Sequence, residues 1–199
     1  MRRQEAQCFS GRRSPPRRSR SDLASSADRF NVFPYREEEP RNGAPPISRP
    51  TVDLRISHGL NETSVRALVD TGSPFCVFGR AAAELIDIDM GAGRGPDRQI
   101  HILGSSHRAR VANVELELPP FEGLSWDAEV CFLYADLELS FVGVLGQEGF
   151  LNHWVASFNY SGNYFVIEEP ASFEERIPID PYETYLEQYD SDWSRPSRN

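Results

Sequence analysis

The sequence predicts a mostly β protein, a small closed or folded β-barrel with one or two short helices. Three observations point there. Short apolar segments repeat with period two, the spacing of half-buried strands. Turn signals rich in Gly, Pro, Asn and Ser separate them every few residues. No strand–helix alternation runs through the chain, which argues against an α/β fold. At 199 residues, 39% of them hydrophobic and 26% charged, the chain has room for one domain with a core plus tails.

Residues 1–48 read as a disordered arm. "GRRSPPRRSRSDLASSADR" and "REEEPRNGAPPISRP" are rich in Arg, Ser and Pro and lack periodicity. Between them "FNVFPY", Phe30 to Tyr35, is an aromatic patch able to fasten the arm to the folded body. The domain itself is expected over 49–169. In "TVDLRI" the residues Val52, Leu54 and Ile56 share one face; in "SVRALVD" so do Val65, Ala67 and Val69. The turn "HGLNET" joins them into a hairpin. Asp70 ends the second strand, and Thr71-Gly72-Ser73-Pro74 forms a tight turn. "FCVF", Phe75 to Phe78, reads as a strand buried on both faces.

Further on, "GRAAAELIDID" predicts a short helix, its three alanines favouring it. Residues 91–98 read as a loop. "QIHIL" and "ARVANVELEL" predict a second hairpin, with "GSSHR" around Gly104 as a mobile tip. "AEVCFLY" is another strand. "VGVLGQEGFLNHW" predicts a strand that passes through Gly146 into a short helix, and "VASFNYSGNYFVIEE" a closing hairpin that turns at Ser161-Gly162-Asn163. Residues 170–199 form an acidic, aromatic tail. There Asp180, Pro181 and Glu183 read as N-cap, N1 and N3 of a helix over 181–190. Tyr182, Tyr185, Leu186 and Tyr189 make one stripe of it. Two readings stand: the helix packs on its own domain, or it detaches to cover a cleft or dock on a partner.

The net charge of −9 divides into +6 over residues 1–20, with seven Arg and one Glu, and −15 over the rest. An acidic body predicts no specific nucleic-acid site, although the basic arm can touch a polyanion. The three cysteines, Cys8, Cys76 and Cys131, are odd in number and lack metal or redox spacing. A reducing, cytoplasmic setting is expected, with Cys76 and Cys131 as small core hydrophobes. The N-terminus has no apolar stretch of the secretory kind; being Arg/Ser-rich, it also fits an organelle transit peptide. No apolar run is long enough for a membrane span. His58, His101, His107 and His153 show no metal spacing, so no metal or cofactor is expected; His101 and His107 read as an exposed pair facing each other across the second hairpin. "GAGRG" lacks the pattern of a phosphate loop. Ser105-Ser106 beside His107 is no triad by adjacency alone. Asp127 and Asp136 read as solvated acids.

"ALVDTGS" resembles the active-site turn of aspartic proteases: two apolar residues, then Asp-Thr-Gly-Ser. A chance Asp-Thr-Gly arises in only about a few per cent of chains this long. About 75 residues later comes "GVLGQEGFL". Val144-Leu145-Gly146 resembles the apolar-apolar-Gly element that passes beside the Asp turn in that family. The hairpin tipped by Gly104, Ser105 and Ser106 lies where the family places its flap. The resemblance covers roughly residues 49–169. With one Asp turn and room for one lobe, the chain is similar to retropepsin-like proteins, and the fold implied is the retropepsin barrel.

The activity implied is that of an aspartic endopeptidase acting on a peptide or protein substrate. Hydrolysis by aspartates needs two carboxylates close together that share one proton, one acting as base toward water and the other polarising the carbonyl. One chain supplies only Asp70, so a C2 homodimer is implied. By resemblance, Thr71 bonds across the dimer axis and Gly72 lets backbone and substrate approach. Ser73 is expected to donate to the outer carboxylate oxygen, which leads to an expected pH optimum below about 6. Gln147-Glu148-Gly149 departs from the Arg-Asp or Arg-Asn of viral members, and the chain continues past its last strand. The alternative is a non-catalytic relative that uses the cleft as a peptide-binding module.

Overall fold

The structure, a computed structural model, describes residues 30–38, 45–91, 93, 95–102, 104–119, 124–135 and 142–177. Strands begin inside the segment read above as a disordered arm. β1 (Phe30–Pro34), β2 (Arg36–Glu38) and β3 (Ile47–Arg49) all precede or touch the expected boundary at 49. The expectation of disorder over 1–48 is therefore corrected for 30–38 and 47–48. The cause is aromatic. Phe33 is buried and stacks on Phe165, ring centroids 5.3 Å apart, and β1 pairs antiparallel with β12 (Tyr164–Glu168). A few large side chains outweigh the Arg- and Pro-rich flanks that dominate the composition. Residues 1–29 lie outside the described residues, and so does the helix expected over 181–190.

The alternating segments build the barrel as expected. β4 (Thr51–His58) and β5 (Asn61–Val69) pair through a two-residue turn, Gly59-Leu60, with Gly59 at φ +60°. Val52, Leu54, Ile56, Val65, Ala67 and Val69 are all buried. After the Asp70 turn come β6 (Val77–Phe78) and the helix α1 (Arg80–Leu85), whose Ala82 and Ala83 face the core. β7 (Asp97–Ile102), β8 (Ser105–Glu117), β9 (Ser125–Leu133) and β10 (Gly143–Leu145) complete a seven-stranded sheet of order β4-β5-β10-β6-β9-β8-β7 among the described residues. β4 also pairs with β8 at Arg55 to Ser57, which closes the sheet on itself. The expected mostly β architecture with short helices is what the chain adopts. No helix among the described residues is long and apolar enough to cross a membrane.

β10 matters most for the site. It runs parallel to β5 and antiparallel to β6, so it lies between the strand entering the Asp70 turn and the strand leaving it. The leaving strand is shorter than the expected 75–78, because Phe75 makes only a single bridge, to Glu148. Alternation then sorts side chains onto two faces. Phe78, Phe132 and Leu145 enter the main core, while Val77, Cys131 and Leu133 join Ile100 and Ala109 in a second, smaller cluster. Phe75, Ile102, Val111 and Val144 border that second cluster, half-buried.

Three local expectations are corrected. The β7–β8 hairpin is tight, since Ile102 pairs with Ser105, and Gly104 takes φ +79°. Ser105 and Ser106 are strand residues rather than tip, and the Ser106 hydroxyl accepts from Gln99 Nε2 at 2.6 Å. His101 pairs with Ser106 and His107 with Ile100, so the two imidazoles leave opposite faces and do not form a pair. The segment after Gly146 forms turns rather than the expected helix. Leu151 and Asn152 bond five residues back, to Gly146 and Gln147. Gly149, at φ +94°, breaks the right-handed path. β11 (Val155–Asn159) and β12 make the closing hairpin, and α2 (Pro170–Arg176) lies within the segment assigned to the tail, with Pro at its tolerated start. Arg176 reaches back to the buried Glu168.

Candidate functional site

The site is built from two loops locked backbone to backbone. Asp70 follows the last residue of β5 and is half-buried. Its amide donates to Leu145 O at 3.0 Å, extending the β5–β10 ladder by one step. Ser73 N donates back to Asp70 O at 3.2 Å, which closes the Thr71-Gly72 turn. Gly72 N donates to Asp70 Oδ1 at 2.9 Å and fixes the carboxylate's orientation. A Cβ at Gly72 would stand 3.3 Å from that same oxygen, so the turn leaves little space for a side chain. No basic side chain among the described residues forms an ion pair with Asp70.

The second loop meets the first at Gly146. A Cβ there would sit 2.3 Å from Phe75 O and 2.7 Å from Ser73 O, closer than real atoms approach. Gln147 N donates to Ser73 O at 2.8 Å, Glu148 N to Pro74 O at 3.0 Å and Cys76 N to Glu148 O at 3.0 Å. Gln147 Nε2 adds a side-chain bond to Thr71 O at 3.0 Å. Gly146 N also donates to Cys76 Sγ at 3.4 Å. Burial pushes the Cys76 thiol up to about 12, so it stays protonated, with the Gly146 N–H opposing the shift. Leu145 anchors this loop in the main core, and Val144 faces the second cluster beside Phe75.

The residues expected at the Asp turn and at the second loop, Asp70 to Ser73 and Val144 to Gly146, are thus brought together. One expected role is corrected. Ser73 Oγ donates to Phe75 O at 2.8 Å, not to the Asp70 carboxylate. A hydroxyl has a single proton, and here it braces the turn. The expectation of an acidic optimum loses the support it drew from Ser73. The hairpin residues behave differently from the loops: Ile102 borders the second cluster with Phe75 and Val144, whereas Gly104, Ser105 and Ser106 are exposed.

Sequence reasoning missed Phe75, Cys76 and Gln147 as parts of the site. Phe75 O is the acceptor for Ser73 and the contact surface for Gly146, and Gln147 ties the two loops through Thr71. Gln147 had a signal, its departure from the viral arginine pattern, but only as a missing charge. Backbone acceptors leave no trace in residue identity. Among the described residues no group of three His, Cys, Asp or Glu side chains is placed to hold a metal ion. Chemically, the site offers one oriented carboxylate, on loops whose Phe75 and Val144 are half-buried against the second cluster.

No protein-family profile matches the chain, and no curated protein does. Solved structures similar to it include a retropepsin-like aspartic protease from Rickettsia conorii, at 12% identity and TM-score 0.47, covering 69% of this chain and 97% of that one. They also include the EIAV protease complexed with the inhibitor HBY-793, at 19% identity and TM-score 0.35, covering 55% of this chain and 88% of that one.

Proposed function

We propose that the chain is one half of a homodimeric aspartic endopeptidase, with Asp70 as its catalytic residue. One observation carries the reading: the Asp70 turn and the Gly146 loop are bonded through main-chain groups, and they hold a half-buried carboxylate that has no cationic partner among the described residues. A carboxylate kept only for stability would more often be paired or left fully solvated.

In the dimer, two Asp70 side chains meet on the twofold axis and share one proton, because like charges that close do not both ionise. The ionised carboxylate takes a proton from water while the water oxygen bonds to the scissile carbonyl carbon. The protonated one donates to the carbonyl oxygen. Collapse of the tetrahedral adduct breaks the C–N bond and delivers a proton to the leaving nitrogen. An acid and an amine leave, and the dyad again holds one proton. The exposed Thr71 is available to bond across the axis, and Phe75 with Val144 offers apolar contact to the substrate.

The test is digestion of a denatured protein by the purified full chain across pH 3–8. Cleavage that a statine-type inhibitor blocks, and that Asp70→Asn abolishes while leaving the melting curve intact, supports the proposal. Peptide binding without cleavage at any pH would overturn it in favour of a binding module.

A further inference from the structure

β7 is an edge strand among the described residues, paired with β8 on one side only. Something else must set how that hairpin lies against the rest of the barrel. Arg98, Ile100 and Ile102 alternate onto the face that meets the second cluster. The Arg98 guanidinium lies over the Phe75 ring, 4.3 Å from its centroid. Its Nη2 donates to Glu129 Oε1 on β9 at 3.2 Å, and its Nη1 lies 3.9 Å from Glu148 Oε2. One side chain therefore joins the hairpin to the residue that ends the Asp70 turn, to the Gly146 loop and to β9.

Phe75 is where both loops converge. Its carbonyl accepts from Ser73 and packs against Gly146, and its backbone bridges Glu148. We propose that Arg98 is a positioning residue: its stack on Phe75 latches the β7–β8 hairpin to the paired loops around Asp70. The stack is the stronger part of the latch. Glu129 and Glu148 are more than half exposed, and ion pairs of that kind contribute little. A flat guanidinium over a ring, partly shielded from water, is the better contact, and lysine does not reproduce it. The consequence for substrate rests on the proposed function; the latch itself does not.

Amide hydrogen exchange of the full chain tests it. Arg98→Gln and Phe75→Leu should each speed exchange in β7 by about fivefold, and the double variant should be no faster than either alone. Exchange in the β11–β12 hairpin should stay unchanged. Arg98→Lys should be as loose as Arg98→Gln, because charge alone does not stack. In peptide cleavage, KM should rise more than kcat falls. Unchanged β7 exchange in Arg98→Gln, or full rescue by lysine, overturns the latch; so do additive single variants. The Arg98 variants alter a partly exposed side chain and decide the matter alone if Phe75→Leu does not fold. A wild-type chain without peptidase activity would defeat the proposed function and leave the exchange result to decide the latch.

Discussion

Single residues set the site's tolerances, and Gly146 sets the tightest. Its missing Cβ is replaced in space by the carbonyls of Phe75 and Ser73, which belong to the backbone and cannot rotate away. Gly146→Ala should lower stability by at least about 2 kcal/mol, read as a lower urea midpoint, and should cut activity further by displacing the Asp70 turn. A second residue gives the fold a pH dependence. Arg110 is buried and spends its donors on Asp97, Tyr134 and the carbonyls of Asp89 and Gly91. Arg110 first, then the Tyr134 hydroxyl and Arg108, hold the Asp97 carboxyl down to about 2, against its desolvation. A lowered folded-state value adds stability above the ordinary carboxylate range, and that stability is lost as pH falls through about 2. The melting temperature should therefore drop between pH 4 and pH 2, and it should drop less in Asp97→Asn, which starts lower at pH 5. Equal slopes for the two chains would show that this cluster does not titrate as described. At this scale the sequence was readable where identity is geometry: a Gly that cannot be otherwise, an Asp before Thr-Gly. It was unreadable at Ser73, where the choice of acceptor depends on a carbonyl two residues away.

Elements were legible in proportion to how cleanly they alternate. β4, β5 and β9 each bury every second residue over much of their length, and β8 does so at Val114 and Leu116; the apolar pattern announces them. β1 has five residues, and its contribution rests on Phe33 packing against a ring more than a hundred positions away. No local pattern reports such a contact. The turns after Gly146 failed for the opposite reason: "GFLNHW" has helical spacing, but the left-handed Gly149 and the bond from Trp126 Nε1 to Gly149 O hold it in another path. Removing β1 tests the revised boundary. A chain beginning at residue 36 should lose about 3 kcal/mol relative to one beginning at residue 29, from the burial and stacking of Phe33. The bared edge of β12 should also make it aggregate more readily. Equal urea midpoints would return the domain start to 49.

At the scale of the molecule, the proposed chemistry asks for more than one chain holds. Among the described residues the sheet lays β10 between the two strands that flank the Asp70 turn, and that arrangement orients one carboxylate. Proton sharing needs a second at close range, and a twofold axis is the economical source. Two consequences separate this from catalysis by a lone chain. Activity per chain should fall on dilution below the dimer dissociation constant, in step with the mass seen by sedimentation. Asp70→Asn chains should also poison wild-type ones. In a mixture with a ninefold excess of the variant, after subunits exchange, about one wild-type chain in ten keeps a wild-type partner, so activity per wild-type chain should fall to about a tenth. Asn is close in shape to Asp, so the variant should keep the fold and the proposed interface, and dilution by an inert protein at the same concentration is the control. If activity per wild-type chain is the same with and without the excess, one carboxylate suffices, and the shared dyad is not how this molecule works.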